Sequence, residues 1–138
     1  MTIDEAWRDL WAEIERHGYG GLTRHQLLWV DTRAVIDATN NGGIISYFYN
    51  SNASRYYDCL SALDQLGATT VRQLLEEAGS LFGERVSPDQ EVRNAIINAW
   101  DGGRYSAALD RLDHQLYVEF PALEERLCEF LEEKVLPS

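Results

Sequence analysis

Long apolar runs are missing from this chain. No segment approaches the ~18 consecutive apolar residues that a membrane-crossing helix requires, and the opening Met1-Thr2-Ile3-Asp4-Glu5 has neither the basic start nor the apolar run of a secretory leader. A cytoplasmic, non-membrane protein is expected. Cysteine is scarce, with 2 in 138 residues. Cys59 and Cys128 form no Cys-x-x-Cys pair and have no neighbouring histidine, which argues against metal or redox work and predicts two reduced core residues. Basic residues are also few: 12 Lys and Arg stand against 23 Asp and Glu, giving a formal net charge of −11 and a pI near 4.6. Direct binding to nucleic acid or an anionic membrane needs basic clusters, and none is present. A basic partner is attracted instead.

Strand-like alternation of apolar and polar residues is absent, so what remains is helical. The 45% hydrophobic and 25% charged composition is that of a folded globular chain, and its length suits one domain with its own core. An all-α fold of about six to eight helices with short loops is predicted, as a single domain over residues 1–138. Thr2-Ile3-Asp4-Glu5 reads as a capping box before a helix whose stripe is Ile3, Trp7, Leu10, Trp11 and Ile14. Thr23 with Gln26 opens a second helix, buried through Leu27, Leu28, Val30, Ala34, Val35 and Ala38. Asn40-Asn41-Gly42-Gly43 ends it, since Gly and Asn tolerate left-handed backbone. An aromatic run, Tyr47-Phe48-Tyr49, follows, broken at Asn50-Ser51-Asn52 before a longer piece that Gly67 closes. Thr69 or Thr70 caps a fourth helix. Ser87-Pro88-Asp89-Gln90 carries the features of a fifth start, with Val92, Ala95, Ile96, Ala99 and Trp100 inward. A sixth begins at Ser106 and a seventh at Pro121, the latter burying Leu123, Leu127, Phe130 and Leu131.

No chemistry gathers along these helices. His17, His25 and His114 have no second ligand at helical metal-site spacing. Gly18-Tyr19-Gly20-Gly21 lacks the preceding strand and following Lys-Ser/Thr of a phosphate loop, so it reads as a helix stop. No nucleophile, base and orienting acid stand together. Catalytic, cofactor and metal residues are therefore expected to be absent, although a small-molecule site at Asp37, Asn40 and Asn50 stays open as one alternative. The acids, by contrast, are unevenly placed. From Asp110 onward, Asp110, Asp113, Glu119, Glu124, Glu125, Glu129, Glu132 and Glu133 face only Arg111, Arg126 and Lys134. Glu125, Glu129 and Glu132 recur every three or four residues away from the apolar stripe, where like charges repel by a few tenths of a kcal/mol per pair. Such a surface presents charge somewhat as a duplex presents phosphates, roughly one per 1.7 Å of axis, and suits a basic partner.

Asn41-Gly42-Gly43, Tyr47-Phe48-x-Asn50 and Leu63-x-x-Leu66-Gly67-Ala68 with Leu74 and Ala78 resemble the bacterial DNA-mimic protein 19 family. Looser echoes occur at Arg93 and Leu109-x-x-Leu112-Asp113. Ile44, Ser46 and Asp37 depart from the family's more usual Phe, Gln and Glu. The resemblance implies a compact all-helical domain, often a homodimer, with no catalytic or cofactor residues. For some relatives it implies an acidic surface that imitates DNA and occupies the DNA-binding face of a transcription regulator. The expected partner is thus a basic DNA-binding protein, met by the eight C-terminal acids. The alternative is an immunity- or adaptor-type interaction module using an aromatic patch at Tyr47, Tyr49 and Tyr56.

Overall fold

A computed structural model describes residues 1–136, and among these residues there are helices and turns but no strand. In chain order the helices are α1 (Ile3–His17), α2 (Arg24–Gly42), α3 (Ile44–Tyr49), α4 (Tyr56–Gln65), α5 (Thr69–Gly79), α6 (Gln90–Ala99) and α7 (Ser106–Lys134). Short 3-10 turns at Tyr19–Gly21, Ser51–Arg55 and Ser80–Phe82 join some of them. No helix among the described residues is long and apolar enough to cross a membrane.

The fold is built around α2. Thr23 Oγ1 accepts from the Gln26 amide at 3.1 Å and Gln26 Oε1 accepts from the Thr23 amide at 2.9 Å, so the predicted capping box forms in full. Periodicity assigned α2 one buried stripe. It is instead buried on nearly every side, through Leu28, Trp29, Val30, Ala34, Val35 and Ile36 together with the polar Asp31, Thr32 and Thr39. A helix enclosed by neighbours loses the amphipathic pattern from which a stripe is read, and α3, α4 and α7 all pack on this one. The polar residues at its centre are accommodated individually. Thr32 donates back to the Leu28 carbonyl at 2.8 Å. Asp31, 4% exposed, accepts from Arg55 through Nε at 2.8 Å and Nη2 at 3.0 Å.

Burial raises the Asp31 carboxyl pKa above its usual range, and the Arg55 bonds only partly offset this. Arg55 itself keeps some contact with solvent. The two partners are therefore unequal. Arg55→Met leaves a buried carboxylate alone and is expected to cost about 3 kcal/mol, whereas Asp31→Asn leaves a guanidinium that water can reach and should cost about 1 kcal/mol. Urea titration of both variants checks the ordering, and an equal loss would contradict it.

Several expected boundaries move. The predicted sixth and seventh helices are one: α7 runs 29 residues with Pro121 inside it. Leu112, Leu116, Phe120, Leu123, Leu127 and Leu131 form an unbroken buried stripe across the proline. Pro121 removes one backbone donor at an exposed position, where water can serve the freed carbonyl, and burying the stripe outweighs a penalty of about 3 kcal/mol. The cap of α6 is Asp89, which accepts from the Glu91 amide at 2.9 Å; Ser87 lies two residues earlier and accepts from Asp89. Neither Thr69 nor Thr70 caps α5, whose N-cap is Ala68 with no side-chain bond. Of the two expected core cysteines only Cys59 is buried, and Cys128 is exposed on α7.

Candidate functional site

The hinge that organises the sequence is a structural corner. α2 continues through Asn40, Asn41 and Gly42, and it is Gly43 alone, at φ +83° and ψ 169°, that turns the chain into α3. Ile44 then begins α3 with a free backbone N–H, which Asp113 Oδ1 accepts at 2.7 Å from α7. Desolvation raises the Asp113 carboxyl pKa and the Ile44 bond lowers it less. At the far end of α3, Arg93 is fully buried. Its Nε donates to the Phe48 carbonyl at 2.9 Å, Nη2 to the Asn50 carbonyl at 2.8 Å and Nη1 to the Ser87 carbonyl at 2.8 Å. Among the described residues no carboxylate pairs with it, and desolvation lowers its pKa.

Gly67 repeats the pattern of Gly43, with φ +68° and Arg126 Nη1 2.9 Å from where a Cβ would stand; that same nitrogen donates to the Leu66 carbonyl at 3.2 Å. Gly43, Phe48, Asn50 and Gly67 of the structural motif thus meet side chains from α6 and α7 at their backbones. Tyr47 lies in the core beside them, 1% exposed, while Asn40 and Asn41 are exposed.

Two alternatives fail on this geometry. An aromatic patch needs Tyr47, Tyr49 and Tyr56 at the surface, yet Tyr56 is 5% exposed and Tyr47 is enclosed; only Tyr49, at 42%, reaches solvent, with its hydroxyl donating to Asn98 at 2.9 Å. A site formed by Asp37, Asn40 and Asn50 needs them to converge. Asp37 is exposed and paired with Arg33, and the groove of about 570 Å³ at the corner is lined by Asn50 but by neither of the others. Groups of His, Cys, Asp and Glu able to hold a metal do not occur among the described residues.

The eight C-terminal acids divide between several directions. Asp113 is taken up by the Ile44 amide, and Glu124, half-buried, lies 3.9 Å from Arg33. Glu119 is half-buried at the junction with the start of α5, beside Arg126. Asp110 is exposed near the start of α7 and is separated from the later acids by Val118, Pro121 and Ala122, all exposed. Glu125, Glu129 and Glu132 are exposed, opposite the buried stripe, and make no ion pair among the described residues; Glu133 adjoins them, 3.4 Å from Lys134. This C-terminal row is the part of the prediction that folding brings together.

Some arginines are taken up within the fold, while Arg8, Arg16, Arg24, Arg85 and Arg104 are exposed and make no ion pair among the described residues. Arg55 meets Asp31, Arg72 bridges Asp64 and Glu76, and Arg111 reaches across to Glu77 at 2.6 Å. Arg93 and Arg126 are bound to carbonyls. Sequence reasoning found Arg93 only as a family echo, because a charge in mid-helix otherwise reads as solvent-facing.

No curated protein and no solved structure matches the chain. The model of the DMP19-like proteins matches residues 20–134, from the turn before α2 to the last residue of α7, and the chain belongs to that family.

Proposed function

We propose that this chain is a non-enzymatic acidic protein that binds a basic, DNA-binding transcription regulator, its carboxylates standing in for DNA phosphates. The observation that carries this is the exposed row Glu125, Glu129 and Glu132 on the outer face of α7, free of ion pairs among the described residues, in a chain of net charge −11. The row advances by about 6 and 4.5 Å along the helix axis, against about 3.4 Å per phosphate along one DNA strand. It is a sparser line of charge of the same sign. Membership of the DMP19-like family supports this function through the mimicry that the resemblance implies.

Binding of this kind is steered by charge and weakens steeply as salt screens it, over a length of about 10 Å at 0.1 M. Capture from host lysate at low salt is expected to return a basic DNA-binding protein, to lose it at moderate salt, and to lose most of it in the E125Q/E129Q/E132Q variant. Recovery of no basic protein, or a complex indifferent to both salt and the triple substitution, would contradict the proposal.

A further inference from the structure

A cavity of about 610 Å³ lies between α1, the start of α2 and the residues that follow α7. Its apolar lining comes from Ala6, Leu10, Trp29 and Val135, and the carboxylates of Asp9 and Glu13 stand among them. Met1 with its α-amino group, Gln26 and Leu136 also line it, and among the described residues no Lys or Arg side chain does. A volume of this size is in the range that holds a bound group. Val135 stands three residues beyond Glu132 and two beyond Glu133, so these two acids lie within one helical turn of the cavity lining along the chain without lining it themselves.

α1, which forms one wall, precedes the family-matched segment and packs on the body through apolar contacts, including the Trp7–Trp29 ring pair at 4.9 Å. Among the described residues no hydrogen bond or ion pair joins α1 to another helix. The wall can therefore adjust to an occupant without breaking polar bonds.

We infer that this cavity is the apolar anchor point of the partner surface: it takes one large apolar side chain from a basic amphipathic helical segment, while the flanking cations of that segment meet Asp9, Glu13 and the acids at the end of α7. The inference rests on the acidic-surface function and makes it more specific. A line of carboxylates alone attracts any polycation, whereas affinity in protein interfaces concentrates where a buried anchor is ringed by polar groups. Charge complementarity selects the segment's sign, and the cavity selects its apolar face.

Three synthetic peptides separate these contributions: a Leu/Lys peptide with one apolar helical face, an oligolysine of equal charge, and the same Leu pattern with Glu in place of Lys. The Leu/Lys peptide is expected to bind about tenfold or more tighter than oligolysine, as burial of one apolar side chain implies, and to keep that ratio when salt weakens both. Ala6→Phe, which places a ring in the cavity where the apolar side chain would lie, should reduce the ratio while leaving oligolysine binding unchanged. Asp9→Asn with Glu13→Gln should weaken the Leu/Lys peptide several-fold.

Equal affinity of the Leu/Lys peptide and oligolysine for the unsubstituted protein overturns the anchor and leaves the acidic surface standing. So does a ratio that Ala6→Phe does not reduce in a variant with native helix content. Binding of the Glu-containing peptide as tightly as its Lys counterpart overturns the charge complementarity, and failure of both cationic peptides to bind at low salt overturns the acidic surface and the anchor together.

Discussion

Arg93→Met is expected to lower the free energy of unfolding by about 3 kcal/mol, because three backbone carbonyls lose the guanidinium that donates to them. The methionine is apolar and of similar length, so the space is filled. What is lost is the set of donors to the Phe48, Asn50 and Ser87 carbonyls. A buried acceptor stripped of its donor costs about 1–3 kcal/mol. Arg93→Lys should recover only part of the loss, because one ammonium cannot reproduce the planar fork that reaches three carbonyls from two directions. Urea denaturation measures both variants. A loss below about 1 kcal/mol for Arg93→Met would show that the corner does not depend on the guanidinium.

The second large effect is expected at the other end of α3. Gly43→Ala should cost about 3 kcal/mol from two sources. A backbone at φ +83° and ψ 169° lies in a region that is essentially glycine-only, with strain of about 1–3 kcal/mol for another residue. The added Cβ would also stand 2.6 Å from Asp113 Oδ2, so the carboxylate must move and its bond to the Ile44 amide is lost with it. Since both substitutions disturb one contact, Gly43→Ala and Asp113→Ala should combine to less than the sum of their separate costs. Strict additivity in thermal or urea unfolding would contradict the shared contact.

These two positions show what could be read in advance. The all-helical class, the Thr23–Gln26 box and the existence of a corner near Gly43 follow from local chemistry, where side chains act on their own backbone. Asp113 and Arg93 act at a distance in sequence: one serves Ile44 from α7 and the other serves Phe48 and Asn50 from α6, and no spacing rule connects residues that far apart. Arg93 also displaces the expected inward face of α6, leaving Val92 at 44% exposed and Ala95 and Ala99 at the surface. Pro121 misled for a different reason, since a proline that opens a helix and one inside a helix look alike locally. The stripe from Leu112 to Leu131 carries the continuity, and it was visible in the spacing.

The surface was only partly legible. Counting acids identifies an excess but not a direction. Asp113 is consumed by the fold and Glu124 by Arg33, while Glu125, Glu129 and Glu132 share one outer face. Burial divides the aromatic residues in the same way. Tyr47 and Tyr56 recur at helical spacing because they are core, and Tyr49, adjacent in sequence, points outward.

Competition with duplex DNA tests the central claim most directly. A basic regulator captured by this protein at low salt is bound to a labelled duplex carrying its site, and the acidic protein is titrated in. Mimicry of the phosphate surface predicts that the duplex is released in proportion to the protein added, and that E125Q/E129Q/E132Q requires much more protein for the same release. A stable three-component complex, with the duplex still bound and the acidic protein alongside it, would contradict the claim that carboxylates on α7 occupy the DNA-binding face.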